Sequence, residues 1–330
     1  MIRVAINGFG RIGRMVAKVI QNHPNIELIA INDLGNTKTL AHLLKYDSVH
    51  GLFNGTVTST ENELIINGKS VKIISEKSPE NLPWAALNID VVIESTGRFL
   101  TKETASGHLK AGAKKVILSA PPKTDDIISV VLGINEEVLQ QNENIISNAS
   151  CTTNAAAPII KVLHDLFHIQ SAYITTVHSY TSDQNLHDAP HNDLRRARAA
   201  ALSIIPTTTG AAKAITAIFP DLEGKIGGCG VRVPVPNGSL IDISVILKEN
   251  TNVEAINKAF KLAAETRLKG ILEYTEDPIV SIDIVGNPHS CIFDAQLTSI
   301  TGHMVKIMGW YDNEMGYSSR VVDLIEKIGR

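Results

Sequence analysis

The sequence predicts a two-domain α/β protein: a parallel sheet covered by helices over residues 1–150, then an α+β domain with a mostly antiparallel sheet over 151–314. Three observations lead there. The chain has 330 residues, more than one hydrophobic core usually serves. Its first half alternates short, unbroken apolar runs with amphipathic stretches, the pattern of strands buried on both faces. After about residue 150 the runs lengthen and alternate apolar with polar, the pattern of strands with one face in a core.

In the first half the strand candidates are Arg3–Asn7, Ile26–Asn32, Val91–Glu94, Val116–Ser119 and Ile145–Ser147. Thr56–Thr58 and Leu64–Ile74 read instead as short antiparallel strands, with Asn67-Gly68 as a turn. In the second half the candidates are Ala172–Val177, Val231–Val235, Ile241–Leu247, Cys291–Leu297 and Met304–Gly309. Thr251-Asn252-Val253-Glu254 fits a capping box opening a helix that runs to about Arg267. A last amphipathic helix puts Val321, Leu324, Ile325 and Ile328 on one face.

Composition excludes several function classes. Hydrophobic residues make up 44% and charged residues 20%, with a net charge of -3, which offers no basic field to nucleic acid or an anionic membrane. The N-terminus runs straight into a glycine loop, without the apolar core of a signal peptide. No stretch has the length and apolarity of a membrane span. The three cysteines, Cys151, Cys229 and Cys291, form an odd, low count that fits free thiols in a reducing compartment, so a cytoplasmic protein is expected.

Gly8-Phe9-Gly10-Arg11-Ile12-Gly13 follows the first strand and opens a helical pattern, and Asp33 ends the next strand. Glycines at this spacing allow a tight turn, close approach of a pyrophosphate and close helix–strand packing. The helix N-terminus adds N–H donors and a partial positive charge. The motif alone is weak, but strand, loop, helix and acid together make a Rossmann-type dinucleotide site. Asp33 would accept from the ribose hydroxyls and repel a 2′-phosphate, which favours NAD over NADP. Its plainer role is to cap local backbone N–H groups.

Ser150-Cys151-Thr152-Thr153-Asn154 follows the strand Ile145–Ser147 and precedes a helical run to about Leu166. A cysteine at a helix N-terminus is biased toward thiolate. A lone cysteine is more often a small buried hydrophobe, the reading we give Cys229 and Cys291. Hydroxyls and an amide surround Cys151 instead. His178, at the end of the strand Ala172–Val177, is the candidate base that would stabilise the thiolate as imidazolium. His187 and His191 have a metal-type spacing, but Pro190 interrupts any helix and no further ligand accompanies them, so no metal is expected.

Thr207-Thr208-Thr209-Gly210 precedes a second helix start, a cradle for an anion. Arg232 lies inside an apolar strand, where an arginine usually has an anionic partner. Arg195-Arg196-Ala197-Arg198 adds a basic cluster. Two anion sites beside one thiol suit a phosphorylated substrate and an attacking phosphate. The plainer readings are N-capping by Thr209 and an internal salt bridge for Arg232.

Taken together, Asn7–Arg14 (NGFGRIGR), Ala149–Asn154 (ASCTTN), Thr175–His178 with Tyr180-Thr181, Pro206–Lys213 (PTTTGAAK), Arg232-Val233-Pro234 and Trp310–Gly316 (WYDNEMG) resemble the phosphorylating glyceraldehyde-3-phosphate dehydrogenases over nearly the whole chain. The resemblance implies Cys151 as nucleophile and His178 as its activator. It implies inorganic phosphate at Ser150, Thr152, Thr209 and Gly210, and the phosphate of glyceraldehyde 3-phosphate at Thr181 and Arg232 with Arg195 close by. It implies NAD contacts from Arg11, Ile12, Asp33, Lys77, Ser119 and Asn313, beside the glycines Gly8, Gly10 and Gly13. It further implies a homotetramer, with the long Ser179–Ser203 loop bordering a neighbouring subunit's cofactor site, and a last helix, about 315–330, packed back onto the cofactor domain. Ala189 stands where NAD-specific members often carry a larger apolar residue, which admits NADP as a second cofactor. Ala155 replaces a second cysteine found in many members, without consequence for this chemistry. Two rivals remain at this level: an erythrose-4-phosphate dehydrogenase, which hydrolyses its thioester, and a non-catalytic or moonlighting binding protein on the same fold.

Overall fold

The structure, a computed structural model, describes residues 1–141 and 143–329; Arg330, the end of the expected 315–330 helix, lies outside the described residues. The chain divides into two compact units. One holds residues 1–130, 136–150 and the chain end from Ser318; the other holds 131–135 and 151–317.

The strands of the first unit are β1 (Ile2–Asn7), β2 (Ile26–Asn32), β3 (Tyr46–Asp47), β4 (Gly51–Leu52), β5 (Val57–Ser59), β6 (Glu63–Ile66), β7 (Lys69–Ile74), β8 (Val91–Glu94), β9 (Lys115–Leu118) and β10 (Ile145–Ser147). Its helices are α1 (Arg11–Ile20), α2 (Thr37–Lys45) and α3 (Lys102–Lys110). Eight strands form one sheet in the order β10-β9-β8-β1-β2-β7-β6-β5. Neighbours from β10 to β7 run parallel. Val4, Ala5 and Ile6 of β1 are fully buried, as a central strand covered on both faces requires. The Asn67-Gly68 turn has positive φ at both residues and joins β6 to β7 as an antiparallel hairpin. The hairpin is not separate from the main sheet, because β7 also pairs in parallel with β2. From β1 the chain goes to β2 on one side and later to β8 on the other. The strand order therefore reverses at the carboxyl end of β1, where open α/β sheets form a ligand crevice.

The second unit begins with α4 (Cys151–Phe167), followed by β11 (Ile169–Ser179), β12 (Ile205–Thr207), α5 (Ala211–Ile218), β13 (Ile226–Val233) and β14 (Ser239–Leu247). Next come α6 (Val253–Glu265), β15 (Leu272–Thr275), β16 (Cys291–Asp294), β17 (Ser299–Thr301) and β18 (Met304–Tyr311), and then α7 (Met315–Ile328), which from Ser318 on belongs to the first unit. The sheet order is β12-β13-β11-β14-β18-β16-β15, with β17 on β18. It is mostly antiparallel, with β11–β13 and β15–β16 parallel. Along β14 buried and half-buried residues alternate strictly, so one face meets the core.

Three sequence expectations shift. The strand at Val231–Val235 starts earlier, at Ile226, and stops before Pro234, which has no N–H for the ladder. The strand at Cys291–Leu297 stops at Asp294, whose side chain accepts from Gln296 N–H and turns the chain into a 3₁₀ helix. The cap of α6 is Asn252, not Thr251: Asn252 Oδ1 accepts from Ala255 N–H at 2.8 Å.

Candidate active site

A cleft of about 540 Å³ lies at the carboxyl ends of β1, β2, β7 and β8, with Gly8, Gly10, Asp33, Lys77 and Thr96 among its lining residues. A Cβ at Gly13 would collide with the Gly8 carbonyl oxygen, whereas one at Gly10 would meet nothing. Gly13 thus lets α1 pack on the loop, and Gly10 leaves the surface open to a ligand. Asp33 Oδ2 accepts from Phe9 N–H and Oδ1 from Gly35 N–H, both at 2.8 Å. Asp33 thus caps two backbone N–H groups while lining the cleft. Arg11 is turned to Asp47, Nη1 to Oδ1 at 2.9 Å. Ser119 follows β9, its N–H donating to Glu94 O.

A buried polar network supports the cleft floor. Asn32 Nδ2 donates to Asn7 Oδ1 at 2.7 Å, and Asn7 Nδ2 to Glu94 Oε2 at 2.6 Å. Glu94 Oε2 also lies 3.0 Å from His108 Nε2. Trp84 Nε1, a donor only, gives its hydrogen to His108 Nδ1 at 3.0 Å. His108 Nε2 must then carry the ring's proton and donate to Glu94.

In the second unit Cys151 is the first residue of α4. Just before it Ala149 has a φ of 54°, a left-handed conformation unusual for alanine and of the kind stored at functional sites. Cys151 Sγ lies 3.4 Å from His178 Nε2. Thr152 supplies its hydroxyl and its N–H to the sulfur. His178 and Arg232 are register partners on the parallel strands β11 and β13. Arg232 Nη1 sits 2.6 Å from His178 Nδ1 and donates to Ser179 O at 2.8 Å, while His178 Nδ1 is 2.7 Å from that same oxygen.

Burial opposes both charges of the expected thiolate–imidazolium pair. Burial pushes the Cys151 thiol up, opposed by the Arg232 charge and the Thr152 hydrogen bonds. Burial, then the Arg232 guanidinium, pushes His178 down to about 3. The Arg232 charge favours a thiolate on Cys151 and disfavours an imidazolium on His178.

The other anion candidates lie on this unit's loops and helix starts. Thr209 Oγ1 accepts from Ala211 N–H at 3.2 Å at the start of α5. Gly210, which follows it, is open: a Cβ there would meet nothing. Thr181 lies two residues beyond the end of β11. Arg195 is exposed; its backbone N–H donates to Asp193 Oδ1 at 2.9 Å and its backbone O accepts from Arg198 N–H at 3.4 Å. The inward cation of that cluster is its neighbour Arg196, which bonds Asp183 at 2.5 Å and Thr207 Oγ1 at 3.0 Å, and whose charge is felt at both His178 and Arg232. His191 is tied to Asp193, its Nδ1 accepting from that residue's N–H at 2.9 Å.

Two family models match the chain: the glyceraldehyde 3-phosphate dehydrogenase NAD-binding domain over residues 2–102 and the C-terminal domain of the same enzyme over 150–313. The glyceraldehyde-3-phosphate dehydrogenase of Thermotoga maritima is 57% identical over 329 residues, covering 99% of this chain and 98% of its own. That of Geobacillus stearothermophilus is 54% identical over 325 residues, covering 98% and 97%. The chain belongs to the glyceraldehyde-3-phosphate dehydrogenase family. The NAD-binding match covers the whole cleft from Gly8 to Phe99, and NAD is the cofactor.

Sequence reasoning missed several residues around this dehydrogenase family's thiol. Tyr311 is buried at the end of β18, its hydroxyl 3.1 Å from Thr152 Oγ1 and 2.7 Å from Thr176 Oγ1, its ring edge-on to His178. Thr176 was legible as a neighbour of His178, since residues two apart share a strand face. Tyr311 needed the sheet pairing to be seen. Asn313 Oδ1 accepts from Ser179 Oγ at 2.7 Å and Ser239 Oγ at 2.9 Å, which fixes its carboxamide with Nδ2 as the group left to offer.

Proposed function

We propose that this chain oxidises D-glyceraldehyde 3-phosphate with NAD and inorganic phosphate to 1,3-bisphosphoglycerate, through a thioester on Cys151. The observation that carries this reading is the Cys151–His178–Arg232 cluster: a thiol at a helix start, a base 3.4 Å away, and a guanidinium one strand over. The sulfur adds to the aldehyde carbon, and His178 handles the proton of the resulting hydroxyl. The N–H of Cys151 and His178 stabilise the developing oxyanion. Bound NAD, held by the cleft at Gly8–Gly13, Asp33 and Lys77, supplies the hydride acceptor. Phosphate seated by Ser150, Thr152, Thr209 and Gly210 cleaves the thioester and leaves as the acyl phosphate. Thr181 and Arg232 hold the substrate's own phosphate, with Arg196 rather than Arg195 as the neighbouring charge. Asn313 Nδ2 is offered to the nicotinamide amide.

Replacing Cys151 by Ser tests the nucleophile. NADH formation from glyceraldehyde 3-phosphate should fall by at least about 10³-fold, because a serine hydroxyl of ordinary pKa is a far weaker nucleophile at neutral pH. Turnover near the wild-type rate would remove Cys151 from the mechanism.

We place the protein in the cytoplasm as a homotetramer that accepts NADP as a second, weaker cofactor. Cys151, Cys229 and Cys291 are all free, which suits a reducing compartment. No helix among the described residues is long and apolar enough to cross a membrane. Leu186, Leu194 and Leu202, all in the long loop after β11, are 77%, 83% and 82% exposed, a surface suited to burial against another copy.

A further inference from the structure

Trp84, Glu94 and His108 are fully buried in the first unit, and no step of the proposed chemistry uses them. Their hydrogen bonds join a chain of polar side chains that runs to the cofactor cleft, and both of its ends have a fixed direction. At one end Trp84 Nε1, a donor only, bonds His108 Nδ1 at 3.0 Å, so His108 donates from Nε2 to Glu94 Oε2 at 3.0 Å. At the other end the Glu76 N–H, also a donor only, bonds Asn32 Oδ1 at 2.8 Å. Asn32 Nδ2 then donates to Asn7 Oδ1 at 2.7 Å, and Asn7 Nδ2 to Glu94 Oε2 at 2.6 Å. Donors therefore run toward Glu94 from both ends. Its other oxygen, Oε1, accepts from the N–H and the hydroxyl of Thr96. Four donors converge on one side chain, and only a carboxylate accepts on both of its terminal atoms.

Asn7, Asn32, Glu76 and Thr96 all line the cleft. They stand at or just beyond the carboxyl ends of β1, β2, β7 and β8. Ser95 Oγ donates to Gly8 O at 2.7 Å, and a Cβ on Gly8 would come within 2.8 Å of Thr96 N. The glycine loop and the turn after β8 are thus pressed together, and the place of one sets the place of the other. We propose that Glu94 is the positioning residue of the cofactor cleft: it holds Asn7 and Thr96, and with them the glycine loop and the turn after β8, in the arrangement that receives NAD, while His108, anchored by Trp84, holds Glu94. The network has one arrangement only. His108 cannot take its other tautomer without orphaning the Trp84 N–H. Asn7 cannot flip its carboxamide without setting its own Nδ2 against that of Asn32. A glutamine at position 94 would therefore turn its amide nitrogen either on the Thr96 donors or on those of Asn7 and His108, and leave buried donors unmet. Such a strain is relieved where backbone can give, and the turns that line the cleft are the backbone these donors belong to.

The inference rests on the cleft as the NAD site, and the test separates the two. The full chain, freed of nucleotide, is titrated with NAD by calorimetry well below its melting temperature, and steady-state kinetics follow the KM of each substrate. Glu94→Gln should weaken NAD binding by at least about tenfold, because buried donors lose their acceptor. The KM for NAD should rise with it while the KM for glyceraldehyde 3-phosphate holds, a split that a general loss of stability does not produce. A pair of changes at His108 keeps the test decisive if Glu94→Gln does not fold. His108→Gln retains an acceptor for Trp84 and a donor for Glu94, and should bind NAD within about threefold of wild type; His108→Leu retains neither, and should fall as Glu94→Gln does. Wild-type affinity in folded Glu94→Gln or His108→Leu overturns the positioning role and spares the cleft. Equal losses in His108→Gln and His108→Leu also overturn it, since packing and not the hydrogen-bond chain would then be at work. Wild-type protein that fails to bind NAD overturns the cleft as the cofactor site as well.

Discussion

Asp33 follows β2 with both carboxylate oxygens on backbone N–H groups, of Phe9 and Gly35, and it lines the cofactor cleft. Two roles therefore meet in one side chain. It braces the glycine loop, and in the proposed reading it places a negative charge where a 2′-phosphate would lie. Replacing Asp33 by Ala separates them. The ratio of kcat/KM for NADP over NAD should rise by about tenfold or more, since removing one like charge near a phosphate is worth on the order of 1–2 kcal/mol at a partly solvated site. Loss of the two backbone bonds should at the same time weaken binding of both cofactors. Steady-state kinetics with each nucleotide checks this; an unchanged ratio means the discrimination lies elsewhere. At this scale the sequence was informative about chemistry and poor on orientation. Cys151, His178 and Asp33 announced themselves by residue type at strand ends and helix starts. That Arg196 rather than Arg195 faces inward depended on loop geometry with no periodicity to read.

At the scale of elements, legibility followed how strongly a local pattern was written. β14 alternates without interruption and was visible. The beginning of β13 was hidden because Gly227, Gly228 and Gly230 carry no side chains to show a period. That hidden strand is the one that brings Arg232 beside His178, so the most consequential contact of the site rests on a register no local pattern encodes. The start of α6 shows a subtler confusion. Thr251 and Glu254 have the spacing of a capping box, yet Asn252 is the residue whose side chain meets an orphan N–H. Two single variants discriminate the frames: Asn252→Ala should cost about 1 kcal/mol, while Thr251→Ala should stay within about 0.5 kcal/mol of wild type. Urea denaturation midpoints read the difference, and equal losses would contradict the assignment of the cap.

At the scale of the whole molecule, the first unit is not continuous in sequence: it takes in the chain end from Ser318. The apolar face of α7 was plain in the sequence, but only the family resemblance said where that face goes, because amphipathic periodicity fixes that a face is buried and not against what. Val321, Val322, Leu324 and Ile325 are fully buried. Two links at the helix's last turn hold it to the same unit: Lys327 to Glu136 at 3.0 Å and Glu326 to His23 at 3.1 Å. These ion pairs are partly exposed, so packing must dominate. Burial of four such side chains is worth roughly 6–12 kcal/mol, on the order of the whole stability of a domain. A fragment ending at residue 150 should therefore keep much of its secondary structure but bind ANS and melt over a broad range. The same fragment joined by a flexible linker to residues 315–330 should melt cooperatively and lose ANS binding. Adding Leu324→Ala to that fusion should remove about 2–5 kcal/mol of the gain. A 1–150 fragment that melts as sharply as the fusion, without binding dye, would show that α7 is dispensable to the unit it completes.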